Sequence, residues 1–540
     1  MRGKALARIC VLILLPFLLS SLSAQTPKQP LKAPKRPAPP KLKLTPQQQA
    51  GLDILNGEVA AAKGLSPLMR TFALMEIARG YEKLVPAKSL ATLRDAFQSS
   101  QMIDDTGDGV KPVKSWLQGE IIDRLVLLDP AYCENLVPQL AGSARGVAIN
   151  GLLRHYTRER QFPRAVALLN QLGDEEFPYF AGSRLMEALP PEMAADKQNL
   201  FAQALASFSQ HEHKNQLGPD DFSGFISRTW RGLPPELVLQ AVDEALKQAR
   251  QSDTDLQITV GAEKGAASFS SIYQYTLFQL MPVLRVLDSD RAESLLQENR
   301  DLQSASKQFP NGLQSLDPKN GIPDRISVRP ANTAVSSADE LYTDELQRRT
   351  DQILEQADKN PKQALAAAMS LPDFQNTRAM ALFRLAGQIL HTSPTYAREA
   401  LAELMKIIPS LQREFIRSDL LAGAGDDYLK LGDIDSTRNV VELGFKLAED
   451  LYAADTDAND PNRAFKAEWP SVSVWRRFIA LAAKISPQTA LQTINNIPDP
   501  EIQSLETIAL ADSLLGAPLG SQMVEMQSKS KSYQFSNVYQ

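Results

Sequence analysis

Apolar residues recur along most of this chain at spacings of one, three and four. Leu237, Val238, Ala241, Val242, Ala245, Leu246 and Ala249 form one such stripe, and Ala379, Leu382, Phe383, Ala386, Ile389 and Leu390 form another. That spacing places each set on a single face of an α-helix. The alternation expected of strands is scarce, the short run Ile258 to Val260 being its nearest candidate. The pattern therefore predicts an all-α fold.

Helix starts supply the organisation. A capping residue followed by proline occurs at Thr45-Pro46, Ser66-Pro67, Asp129-Pro130, Asn360-Pro361, Ser393-Pro394 and Ser486-Pro487. Ser, Thr, Asp or Asn accepts a hydrogen bond from the orphan N–H groups of a first turn, and proline at the next position gives up no useful donor. Proline also forces the residue before it out of the helical region, so each dipeptide marks a corner between helices. Pro130 and Pro163 stand 33 residues apart, as do Pro361 and Pro394. This is the length of one helical hairpin in many solenoids. A longer echo relates PKQALAAAMSLPD at Pro361 to PQTALQTINNIPD at Pro487.

One segment resembles a known repeat. From Leu421 to Asp450, Leu421, Gly425 and Tyr428 fall where a tetratricopeptide repeat places its first-helix large, small and aromatic residues. Gly432 lies in the turn and Gly444 holds the small position of the second helix, while Thr437 and Glu449 depart from the pattern. A fainter match runs from Leu152 to Leu172, with Tyr156 and Ala165 in register. The resemblance is to exported bacterial tetratricopeptide-like proteins. It implies a right-handed α-solenoid of antiparallel hairpins with a concave surface that binds proteins.

Six segments are expected. Residues 1–24 read as a signal peptide: Arg2, Lys4 and Arg8 precede an apolar run from Ile9 to Leu19, and small residues follow at Ser20, Ser21, Ser23 and Ala24. The run is too short to span a bilayer, which takes about 20 apolar residues. Residues 25–46 are a basic proline-rich tether of the polyproline II kind. Residues 47–300 and 339–516 form two helical-repeat blocks, and 301–338, punctuated by Pro310, Asn311-Gly312, Pro318, Asn320-Gly321, Pro323 and Pro330, reads as an irregular linker. Residues 517–540 are a polar tail. The mature protein is then exported, periplasmic or secreted, with no membrane span.

Charge and composition narrow the partners. The net charge is -5, but the signal carries +3 and the tether +6, which leaves the body at about -14. An acidic body argues against nucleic acid. Cys133 is the one cysteine outside the signal peptide, so no disulfide forms within the mature chain. The four histidines include one cluster, His211-Glu212-His213, whose spacing puts the two imidazoles on different helix faces.

No motif assigns a catalytic residue or a cofactor. Asp104, Thr106, Asp108 and Gly109 imitate half of a calcium loop, but Ser115 replaces its last ligand. Asp455, Asp457, Asn459 and Asp460 alternate similarly and are the calcium candidates, although Lys466 occupies the twelfth position and a solvated loop is the plainer reading. They open the least repeat-like stretch, Tyr452 to Trp475. Tyr452, Trp469 and Trp475 within it are the candidate interaction surface, against the alternative that the tryptophans staple the last helices. The expected function is a non-enzymatic scaffold binding a protein or cell-envelope component. The competing expectation is an all-α toroid or superhelical enzyme that cleaves polysaccharide or cell-wall glycan.

Overall fold

The protein was analysed as a computed structural model, which describes residues 44–516 apart from 105–109, 141, 173–176, 212–220, 253–255, 263–264, 317–324, 331–336, 373, 375 and 457–464. The signal peptide, nearly all of the tether and the polar tail lie outside the described residues. The described residues from Leu44 to Gly516 form one compact unit.

The fold is all-α and solenoid-like. Its first half runs α1 (Pro46–Ala61), α2 (Pro67–Tyr81), α3 (Pro86–Ser100), α4 (Val110–Leu128), α5 (Pro130–Leu136), α6 (Gly142–Arg158), α7 (Phe162–Leu169), α8 (Tyr179–Ala188), α9 (Ala194–Gln210), α10 (Phe222–Thr229) and α11 (Pro235–Gln251). Two strands, β1 (Leu256–Ala262) and β2 (Gly265–Phe269), precede α12 (Ile272–Leu287), α13 (Ser289–Glu298), α14 (Arg300–Gln308) and α15 (Leu313–Leu316). After β3 (Arg325–Pro330) come α16 (Ser337–Ala357), α17 (Pro361–Met369), α18 (Thr377–Ile389), α19 (Pro394–Ile407), α20 (Glu414–Lys430), α21 (Ile434–Asp455), α22 (Pro470–Ile485), α23 (Pro487–Ile494) and α24 (Pro500–Leu515). All six capping-residue–proline corners begin helices. Thr45 closes a full capping box with Gln48, and Asp129 and Ser486 accept from the N–H groups of Tyr132 and Thr489.

Packing sorts these helices into two layers. The even-numbered helices from α2 to α14 each pack on the next, and those from α16 to α24 do the same. Odd-numbered helices cover them: α3 bridges α2 and α4, α5 bridges α4 and α6, and α19 bridges α18 and α20. Burial follows from the layer. The covering helix α11 buries one stripe, Val238, Ala241, Val242, Ala245, Leu246 and Ala249, whereas α2 and α24 are buried nearly all round. An amphipathic helix needs one covered face, while a helix clad on every side reads as apolar throughout.

Side chains also tie each hairpin to its neighbour. Gln203, Gln248, Gln388 and Arg398 donate to the carbonyls of Leu169, Phe208, Leu354 and Leu431, over 34, 40, 34 and 33 residues. Each of those carbonyls lies at or near the C-terminal end of a helix, where no intrahelical donor remains. One repeat thus caps another, and the sequence period is the spacing between them.

The first and last described helices meet in the same arrangement. Helix α24 packs against α2 as though it were the preceding even-numbered helix, and α1 bridges α24 and α2 as α3 bridges α2 and α4. The repeat at this seam is a composite: α24 provides the clad helix and α1 its cover. Gly51 makes the approach possible, since a Cβ there would lie 2.9 Å from both the Ala511 carbonyl oxygen and Leu515 Cγ.

The stretch expected to be irregular, 301–338, carries regular structure. It holds nearly all of α14, then α15, β3 and the start of α16. The strand β3 pairs antiparallel with β1 from Arg325 opposite Gly261 to Pro330 opposite Leu256, giving a sheet of order β2-β1-β3. Its order comes from a partner some 70 residues upstream in the sequence, which a local pattern cannot show. Ile258 and Val260, the expected strand residues, are buried in that sheet.

Candidate functional site

Among the described residues, buried charge gathers at the seam where α2, α22 and α24 meet. From α2 come Glu76 and Arg79, from α22 Arg476, and from α24 Glu506 and Asp512. The Arg79 guanidinium donates to Glu76 at 2.7 Å and to Asp512 at 2.6 Å, joining the N-terminal to the C-terminal helices across 433 residues. Arg476 approaches Glu506 at 3.9 Å, and its guanidinium stands 5.9 Å over the Phe72 ring. Phe72 meets Phe465 edge-on at 5.3 Å, with Trp116 closing the aromatic group at 6.5 Å and 6.0 Å from the two rings.

A rim of further polar contacts surrounds this centre. Ser66 donates from its N–H and its hydroxyl to Glu501 Oε1 at 2.9 Å and 2.6 Å. Lys466 pairs with Asp499 at 2.6 Å and with Glu501 at 2.9 Å, and the Asp499 carboxylate caps α24. Ser504 donates to Glu58 Oε2 at 2.6 Å, tying α24 to α1.

Burial dominates the proton affinities here. It pushes the Glu506 carboxyl up to about 8, against the pull of Arg476, so the group is mostly protonated at neutral pH. Burial also pushes Asp512 up to about 6, which Arg79 restrains. Glu58 is raised by burial and eased down by the Ser504 hydroxyl. Glu501 is the reverse case: burial opposes ionisation, yet Lys466 and the two Ser66 donors hold it below its ordinary value.

The space enclosed by Glu76, Arg79, Arg476, Leu505, Ile508, Ala509 and Asp512 has room for about one water. A glycan-cleaving site needs a cleft wide enough for a sugar ring between two carboxylates. Here Glu76 and Asp512 converge on the Arg79 guanidinium instead. What this arrangement can do chemically is hold helices together and exchange protons.

The residues singled out from sequence are placed differently. Trp475 is only 2% exposed, so it is no part of an interaction surface. Its ring packs 5.5 Å from that of Tyr452, and the Trp469 ring lies 6.1 Å from Tyr452. The three aromatic residues staple α21 to α22, because the half-buried Tyr452 leaves α21 at the point where α22 begins. Asp455 ends α21 and accepts from the Ser471 N–H at 3.0 Å, capping α22, while Asp457, Asn459 and Asp460 lie outside the described residues. The first loop fares similarly, with Thr106, Asp108 and Gly109 outside the described residues. Among the described residues no three His, Cys, Asp or Glu side chains converge as metal ligands, and no helix is long and apolar enough to cross a membrane. His211 Nδ1 lies 2.8 Å from the Ser207 carbonyl oxygen, and His213 is outside the described residues. Cys133 is fully buried, and burial pushes its thiol up to about 12.

Motif spacing does not reveal the seam, because its members on α2 lie about 400 residues or more from those on α22 and α24. Their trace is charge inside otherwise apolar helices, in LMEIARGY from Leu74 and LETIALADSLL from Leu505. A buried helix retains such residues where they find partners.

No family model matches the chain, and no curated protein matches it. Among solved structures it is similar to a "Circular tandem repeat protein with novel repeat topology and enhanced subunit contact surfaces", 11% identical over 91% of this chain and 90% of that one, with a TM-score of 0.14. A superposition that loose adds nothing to what the helices themselves show.

Proposed function

We propose that this is an exported, non-enzymatic helical-repeat protein that binds other proteins or envelope components along the faces of its hairpins. The observation that carries the reading is the set of exposed apolar side chains on consecutive C-terminal hairpins. Met369 on α17, Met380 on α18, Phe415 on α20 and Leu443 on α21 are 41–55% exposed, and Arg477 lies 5.2 Å over the Phe415 ring. Aromatic residues and methionine are enriched where protein partners dock. The buried charges, by contrast, are engaged between helices and are not presented to a ligand. Export rests on the n-region, apolar run and small residues of 1–24.

Affinity capture with the full chain from an envelope extract tests the reading. A component retained by the wild type and lost from a Met380→Ser/Phe415→Ser variant is the expected result. Equal retention by both, or retention of nothing, contradicts it.

A further inference from the structure

We propose that the insertion between α21 and α22 is an internal clamp, whose Phe465 is seated among the N-terminal helices and holds the seam closed. Its length sets it apart. The other connections from a covering helix to the next clad one in this half of the chain are short, residues 370–376, 408–413 and 495–499, whereas this one runs from 456 to 469. Both of its ends belong to C-terminal helices: Trp469 packs on Tyr452 of α21, and Asp455 caps α22 through the Ser471 N–H. A turn between two packed helices takes only a few residues, so the extra length is not needed to join α21 to α22.

The described end of the insertion, Phe465 to Trp469, is directed at the N-terminal helices instead. Its single helical turn, Lys466–Glu468, touches α22 and α24 from its own half of the chain and α2 from the other. Phe465 is 2% exposed. Its ring meets Phe72 of α2 at 5.3 Å and Trp116 of α4 at 6.0 Å, edge-on in both cases, which is a favourable geometry for aromatic pairs. Phe72 and Trp116 stand 6.5 Å apart, so Phe465 completes a cluster of three rings in which the other two come from the N-terminal half. Arg476 of α22 stands 5.9 Å over the same Phe72 ring. One aromatic residue of α2 is thus held by two C-terminal elements.

A polar link runs beside the aromatic one. Lys466 pairs with Asp499 at 2.6 Å and with Glu501 Oε2 at 2.9 Å, while Glu501 Oε1 accepts the N–H and hydroxyl of Ser66 at the start of α2. A single carboxylate on α24 is therefore held from the insertion on one oxygen and from α2 on the other. Partly exposed ion pairs contribute little on their own, whereas the buried Phe465 ring gives up its whole apolar contact when the seam parts. Phe465 is joined by the chain to one half and packed against the other, so removing its ring acts on the boundary between them.

Hydrogen exchange read by mass spectrometry on the full chain tests the clamp. Peptides from α2 and α24, residues 67–81 and 500–515, report on the seam, and peptides from residues 272–287 and 377–407 report on each half away from it. Phe465→Ala is expected to raise exchange in both seam peptides about a hundred-fold, the order set by losing a buried phenyl ring, with the controls unchanged. Phe465→Leu, which keeps most of the volume, is expected to raise it about ten-fold in the same two peptides, and it keeps the test decisive if the alanine variant does not fold. Acceleration confined to residues 434–455 and 470–485 would make Phe465 a local packing residue, and a rise shared by the controls would make it part of the general core. Either result, or unchanged exchange in 67–81, overturns the proposal.

Discussion

Replacing Arg79 with methionine is expected to destabilise the protein by about 3–5 kcal/mol at neutral pH, the usual cost of removing one partner from a buried ion pair. Arg79 is the base that Glu76 and Asp512 share, and the Asp512 carboxylate beneath it is 1% exposed. Methionine keeps much of the apolar stem but leaves two carboxyl groups facing each other. The loss should shrink as pH falls from 7 toward about 6 and level off below it, because without Arg79 the Asp512 carboxyl takes up a proton more readily than it does beside the guanidinium. Adding Asp512→Asn to the variant should recover part of the loss at pH 7 for the same reason. Denaturant unfolding of the single and double variants at pH 5 and pH 7 checks all three statements. A loss that does not vary with pH would mean that Arg79 acts through packing alone.

Gly444→Ala should carry the next largest penalty, about 1–3 kcal/mol, although alanine is the better helix former by about 1 kcal/mol. A Cβ at this position on α21 would fall well inside 3.0 Å of three atoms of the Phe478 ring. Phe478 is 0% exposed on α22 and has no room to retreat. Gly57 is the control, since it lies on α1 with nothing within 4 Å of the same added atom. Gly57→Ala should therefore stabilise by up to about 1 kcal/mol. Melting temperatures of the two variants should move in opposite directions, and a shift of the same sign in both would show that helix propensity governs both sites.

Gly444 also shows what local pattern conveys. Its place as the small residue of a second helix is legible from the spacing Leu421, Gly425, Tyr428, Gly432, because close approach of neighbouring helices constrains residue size at fixed intervals. The capped proline corners and the α11 stripe are legible for a related reason: caps and amphipathic faces are settled within one or two turns of chain. The strand β3 is not, since its pairing with β1 is non-local and Pro330 resembles a breaker. Trp475 misleads because an aromatic residue next to an insertion looks the same whether it faces solvent or a neighbouring helix. The seam was the least accessible feature. Glu506 and Asp512 appear in sequence as polar interruptions of an apolar helix, and the partner of Asp512 lies 433 residues away.

That meeting of the two ends is the centre of the account, and cutting the chain tests it. A site for a sequence-specific protease placed between Pro330 and Ser337 divides the body into a piece ending with β3 and a piece beginning with α16. If α1 and α2 complete the repeat of α24, the two pieces should elute together from a sizing column at neutral pH, at the position of the uncut protein. Separate elution without denaturant would contradict the composite repeat and the continuous packing it implies.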